Sequence, residues 1–272
     1  MRKIQKNKWL SVGNDELSAG ENRVEIGYGS EGNPSNSLPI DENGKLSIDF
    51  ETKAVIGPDD SEKVKVMGFP YNTIALLRIE CDDGHHIGTG FFISPRCIAT
   101  AGHCVFKDGK WAKSVTVVPG ASLGDFPKRW GETTAIKFRS VEGWVKYSDI
   151  EYDYGAIILS DNLLFQKLCG YMGYAEYHSE LASEVELVGY PDGKGEKQFF
   201  TKGFINREEG NLLYYTLDTE PGQSGSPVFV RDTDNKCIVV GVHRGTNNVQ
   251  TENHAIRVNN SVMCRWQEWS DL

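Results

Sequence analysis

The chain has 272 residues, 38 acidic against 29 basic, and a formal net charge of -9. A surface that negative repels a phosphate backbone, which excludes nucleic-acid binding as its main task. Apolar runs such as "IALLRI" and "CIVVGV" are strand-sized and far below the ~20 residues a membrane helix needs, so a soluble chain without a membrane partner is expected.

In chain order, residues 1–53 come first. They are polar, rich in turn residues ("GYGSEGNPSNSLP") and without apolar periodicity, and they read as an extended leader or propeptide-like segment that forms no core of its own. The basic start is not followed by an apolar stretch of ~7 to 15 residues, so no secretory signal is visible. From Ala54 the texture changes. Short runs rich in β-branched and aromatic residues recur between turns: "TIALLRIE", "HIGTGFFIS", "SVTVVPG", "TAIKFRSV", "YGAIILS", "EVELVGYP", "LLYYTLDT", "SPVFV" and "KCIVVGVH". Such spacing, without helical patterns between the runs, predicts an all-β antiparallel sandwich or barrel and disfavours a parallel α/β fold. At the end, "NNSVMCRWQEWSDL" sets Val262, Trp266 and Trp269 at i, i+4 and i+7 behind an Asn or Ser N-cap, which predicts a packed helix over 260–270.

Three stretches carry chemistry when taken together. "CIATAGHCVF" puts His103 at a small-residue turn after a β-rich run, "EYDYGAIILS" puts Asp153 at the head of an apolar strand, and "TEPGQSGSPVF" puts Ser224 between Gly222 and Gly225. Each has a plainer reading: a structural histidine, a turn aspartate, a glycine-rich turn before a strand. Together they supply what a serine hydroxyl needs, a base to take its proton and a carboxylate to orient that base. The order His, Asp, Ser is that of one class of triad hydrolase, and the absence of G-x-S-x-G at Ser224 argues against the α/β-hydrolase elbow.

"TAGHC", "YDYGAI" and "GQSGSPVF" resemble the motifs of the trypsin-like serine proteases, most of all the bacterial glutamyl endopeptidases related to the staphylococcal V8 protease. The resemblance runs from about residue 54, where "AVIGPDD" looks like a mature N-terminus, to the end. It implies two antiparallel β-barrels, lobes of about 66–163 and 164–258, with the active site between them. It implies His103 as general base and then acid, Asp153 as its orienting partner and Ser224 as nucleophile. The amides of Gly222 and Ser224 would form the oxyanion hole, while Pro221 has no N–H to offer. It also implies removal of residues 1–53 by cleavage after Lys53 or Ala54.

The same resemblance assigns the recognition of an acidic side chain to His243 and Thr219, two groups able to donate to a carboxylate. Asp218 stands where trypsins carry a pocket-base aspartate, so a carboxylate turned into the pocket would select Lys or Arg; an outward-facing Asp218 is the reading that fits cleavage after Glu. Arg244 and Glu220 depart from the group's pattern; Arg244 would either add positive charge near an acidic substrate or pair with Glu220 on the surface, and the surface pair is the expectation. Cys104 is expected to lack the group's usual bridging partner, whose position is Gly88, with Cys81 as a possible substitute; six cysteines leave the pairing open. No cofactor or metal is expected, since His85 and His86 have no evident partners. The expected protein is a secreted, monomeric endopeptidase acting on proteins or peptides. A trypsin-like or broad pocket, or a silent protease fold used for binding, are the alternatives.

Overall fold

The computed structural model describes residues 11–13, 61–122, 128–168, 170–178, 184–232, 234–246 and 252–272. The "AVIGPDD" stretch, expected as a mature N-terminus, and most of residues 1–53 lie outside these residues. Two curled antiparallel sheets dominate. The first has eight strands; its centre runs from Lys137–Val141 through Gly155–Ile158, Cys97–Thr100, Gly84–Phe92 and Ile74–Cys81 to Ser114–Pro119. Ser11–Gly13, in the segment read from the sequence as a leader, pairs with Lys137–Val141 at one edge of this sheet. The second has nine strands, centred on Leu212–Tyr215, Asn253–Arg257, Cys237–Thr246, Pro227–Arg231 and Val185–Gly189.

The β-rich runs form these strands for the reason expected. Branched and aromatic side chains project from the pleat into a closed interior, so Leu76, Phe91, Ile98, Val117, Phe138 and Ile157 in the first sheet are fully buried. Leu187, Leu213, Tyr215, Val228 and Ala255 do the same in the second. The antiparallel expectation holds with one small exception, a two-residue strand, Gly173–Tyr174, that pairs in parallel with Cys237–Thr246. "TAIKFRSV" is broken into Thr133–Ala135 and Lys137–Val141, with Ile136 exposed between them. The strands Phe199–Gly203, Ile205–Glu209 and Asn253–Arg257 had no apolar run strong enough to announce them.

The C-terminal helix, Asn260–Ser270, starts where Asn259 accepts from the amides of Ser261 and Val262 at 3.0 and 3.1 Å. It buries Val262, Trp266 and Trp269, the three residues that share its apolar face. Trp266 meets Phe91 edge-on at 5.8 Å and Trp269 lies 5.7 Å from Tyr154, so the helix closes the chain back onto the first sheet. Each fully buried side chain of this size contributes roughly 1.5–3 kcal/mol.

Candidate active site

His103 lies in a short 3-10 turn, Gly102–Cys104, that follows the buried strand Cys97–Thr100. The turn can pass close to Asp153 because Gly102 has no Cβ; one placed there would come 2.9 Å from Asp153 Oδ1 and 2.7 Å from Trp144. Asp153 follows a second 3-10 turn, Ile150–Tyr152, which Asp149 caps by accepting from the Glu151 amide at 3.1 Å. The two turns join the ends of neighbouring strands, and their residues meet. Asp153 Oδ1 accepts from the His103 amide and Oδ2 faces His103 Nδ1, both at 2.8 Å. An ionised carboxylate can only accept, so Nδ1 carries the proton and Nε2 is left with the lone pair of a base.

Asp153 is wholly buried. Burial by itself would raise its carboxyl, but His103, its hydrogen bonds and Arg244 outweigh that, and the net shift is downward. Arg244 was expected on the surface with Glu220. Instead its side chain is 8% exposed, with Nε 2.9 Å from Asp153 Oδ2 and Nη1 3.0 Å from His254 Nε2. The Nε contact is an ion pair rather than an aligned hydrogen bond. Glu220 pairs with Lys194 at 2.8 Å. The cause is a bulge: the pairing of Cys237–Thr246 with Asn253–Arg257 slips between His243 and Gly245, leaving Arg244 as the extra residue. A bulge re-aims a side chain out of the alternation that sequence periodicity assumes.

Ser224 sits on the turn before Pro227–Arg231. Gly222 and Gly225 have φ of +91° and +87°, the left-handed region that favours glycine. A Cβ on Gly225 would collide with Thr89 O and the Thr100 hydroxyl, and one on Gly222 would meet Tyr190 O at 2.5 Å. The turn is locked from within by Glu220 N on Gln223 Oε1 at 2.7 Å and from the neighbouring strand by Gly225 N on His243 O at 2.8 Å. Ser224 Oγ donates to Arg244 O at 3.2 Å. Among the described residues, the amides of Gly222 and Ser224 donate to no protein acceptor.

Thr89, which no motif singled out, clamps this turn across the two sheets. Its amide donates to Ser224 O at 2.8 Å, its hydroxyl donates to Gly222 O at 3.0 Å, and that hydroxyl accepts from Tyr190 N at 3.0 Å. Thr89→Val keeps the shape but leaves a buried carbonyl and amide without the hydroxyl. It should cost about 2–4 kcal/mol in urea unfolding, since each orphaned group costs roughly 1–3 kcal/mol.

Cys104, beside the histidine, is no competing nucleophile, because full burial pushes its thiol up to about 12. Cys81 and Cys104 are both free thiols, so the suggested bridge between them is not present.

The three residues expected at the specificity pocket, Thr219, His243 and Asp218, are deeply set. Thr219 and His243 are 4% and 2% exposed. Tyr215 and His243 meet at 2.6 Å through the hydroxyl and Nδ1. Burial raises the Tyr215 hydroxyl well above its usual range, so it stays protonated and can donate to Nδ1, leaving the His243 proton on Nε2. Burial first, then His254, His103 and Arg244, lower His243 to about 3, so its imidazole is neutral in the resting chain rather than a charged donor. Asp218 is 5% exposed, so its carboxylate is covered by the protein rather than turned to solvent.

His254 is likewise lowered to about 3, by burial and then Arg244. Both histidines take up protons more readily when unfolded, at about 6.5, than when folded. Their contribution to stability is therefore complete above about pH 6.5 and is lost as pH falls toward 3, at up to about 1.4 kcal/mol per pH unit for each. Urea midpoints should drop already between pH 6.5 and 5, above the range where carboxylates titrate, and His254→Gln should flatten the drop.

A cleft of about 430 Å³ opens beside the triad candidates, and His103, Gly222 and Ser224 line it together with Cys81, His85 and His86. No helix among the described residues is long and apolar enough to cross a membrane.

Residues 88–242 match the trypsin-like peptidase domain family. An "Extracellular metalloprotease" of Bacillus subtilis is 32% identical over 230 residues, 82% of this chain and 71% of its own length. A "Glutamyl endopeptidase" of Bacillus licheniformis is 32% identical over 232 residues, again 82% and 71%. A solved Glu endopeptidase in complex with MPD superposes with a TM-score of 0.71 at 27% identity, covering 80% of this chain and all of that one. With two antiparallel half-barrels, the C-terminal helix and these likenesses in agreement, the chain belongs to the trypsin-like serine peptidases of chymotrypsin fold, hydrolases that act on proteins or peptides.

Proposed function

We propose that the protein is a secreted endopeptidase that cleaves after Glu, with Asp a weaker substrate, through His103, Asp153 and Ser224. The observation that carries this reading is the buried Asp153 bound twice by His103 at 2.8 Å, beside the glycine turn that holds Ser224. In this mechanism His103 Nε2 takes the Ser224 proton as Oγ attacks the scissile carbonyl and later returns it to the leaving amine. Asp153 and Arg244 keep the imidazole in one tautomer and orientation. The amides of Gly222 and Ser224 receive the oxyanion, each such donor being worth about 3–4 kcal/mol in related chemistry.

For the pocket, His243 and Thr219 are the proposed partners of the substrate carboxylate. A neutral His243 donates through Nε2–H, and the arriving carboxylate supplies the negative charge that favours a second proton on the ring. The names of the relatives agree with an extracellular enzyme and with Glu preference. Residues 1–53 are proposed as a prosegment, released at the "AVIGPDD" junction.

A second pocket reading rests on the burial of Asp218, which in a trypsin-like pocket would select Lys or Arg. The deciding experiment incubates the chain trimmed to begin at Ala54 or Val55 with a mixed peptide library and maps each cut by mass spectrometry. Cuts after Glu that weaken in His243→Ala support the proposal. Cuts after Lys or Arg that are lost in Asp218→Asn overturn the Glu pocket and leave the triad standing.

A further inference from the structure

The hairpin that joins Ile74–Cys81 to Gly84–Phe92 carries "CDDGHH", and its geometry gathers three metal-ligating side chains. Cys81 pairs across the hairpin with Gly84, and Ile79 with His86. Side chains on a pleated pair alternate in twos, so Cys81 and His86 share a face as diagonal neighbours, with no side chain on Gly84 to separate them. Asp83, in the turn, reaches the same point: its Oδ1 lies 3.0 Å from His86 Nε2. The ligand atoms of Cys81, Asp83 and His86 all lie within 4.8 Å of one another. Tetrahedral zinc, with bonds of about 2.0–2.3 Å, needs its ligand atoms about 3.3–3.6 Å apart, so small side-chain rotations suffice.

We propose that Cys81, Asp83 and His86 form a zinc site with a fourth position open to water or to a peptide in the cleft. The donor set of one thiolate, one imidazole and one carboxylate suits zinc and is a poor match for calcium or magnesium, which take oxygen alone. Charge is compatible. Asp82 is turned to Lys110 and Lys113 at 2.7 and 3.0 Å and is not part of the site. Lys107 stands 4.0 Å from Asp83 Oδ2, the oxygen that does not meet His86, and a bound thiolate and carboxylate together exceed its single charge. Cys81 and His86 also line the same cleft as His103 and Ser224. Zinc held there narrows the path of a peptide lying along that cleft, a consequence that rests on the proposed role of Ser224, whereas metal binding itself does not.

The test is a titration of the reduced, chelator-washed full chain with Zn²⁺ against a chromophoric chelator, repeated with Co²⁺ followed by absorption. One equivalent should bind, with a thiolate-to-cobalt charge-transfer band. Cys81→Ser should abolish the band and weaken Zn²⁺ binding at least tenfold. His86→Asn and Asp83→Asn should weaken binding by a similar factor while keeping a thiolate band. Cys264→Ser, which removes the exposed thiol of the C-terminal helix, should leave both readouts unchanged. A band that survives Cys81→Ser, or equal affinity in all these chains, would overturn the site. His86 and Asp83 lie on an accessible hairpin, so their variants fold and keep the test decisive even if Cys81→Ser does not.

Discussion

Ser224→Ala in the trimmed chain should lower kcat/KM by about 10⁴–10⁶, the loss seen when a triad nucleophile is removed while the remaining site still binds and polarises the substrate. The fold should hardly notice. The hydroxyl's hydrogen bond is to Arg244 O at 3.2 Å, worth about 1 kcal/mol, and the methyl of alanine fits wherever the CH₂ of serine does. Active-site kinetics and a urea melt on the same preparation separate the two effects. A variant that unfolds with wild-type midpoint and cleaves at wild-type rate would remove Ser224 from the mechanism and bring down the proposed chemistry with it.

Arg244→Met should be costly in both respects. The guanidinium is one of two cationic or potentially cationic groups facing a fully buried carboxylate, and removing one partner of a buried pair costs about 3–5 kcal/mol. Since His103 remains on Asp153, the lower end, about 3 kcal/mol, is expected from urea unfolding at pH 7. The dependence on pH follows from the depressed Asp153 carboxyl. Its stabilisation is complete above the ordinary carboxylate range of about 4 and is lost as pH falls through its own lower value, so the gap between Arg244→Met and wild type should close in strong acid. Catalysis should report a different quantity. Without the guanidinium, Asp153 answers to the imidazolium alone, and the acidic limb of the kcat/KM profile should move to higher pH. Arg244→Lys should restore most of the limb, because charge carries that effect, but less of the stability, because the fork to His254 is gone. Unchanged stability and an unchanged profile in Arg244→Met would mean that this side chain does not reach Asp153 in solution.

Neither effect of Arg244 was visible in one dimension, and the reason is specific. Sequence periodicity assigns alternate residues of a strand to opposite faces, so two neighbours such as His243 and Arg244 both turned inward are not what it anticipates. The bulge at Arg244 breaks that count, and nothing in "VVGVHRG" announces it apart from the glycine that follows. The burial of Asp218 was not legible for a related reason: whether a residue beyond a strand end is covered depends on what packs over it from elsewhere in the chain. Thr89 escaped notice because a threonine inside an apolar strand is ordinary, and its value comes from contacts to Gly222 and Tyr190, more than 100 positions away. His86 looked unpartnered until hairpin pairing supplied Cys81 and the turn supplied Asp83.

What the sequence by itself determined was the local chemistry: strand-forming runs, the capped C-terminal helix with Val262, Trp266 and Trp269 on one face, and glycines at 222 and 225 whose positive φ no other residue adopts cheaply. Those properties depend on neighbours within a few positions, which periodicity and turn preference can read. Only the tertiary structure decided which charges meet, because burial, ion pairing and the neutral state of His243 are set by side chains that arrive from distant strands. Asp153 could be picked out by its motif, but that it is held between His103 and Arg244 is a fact of packing.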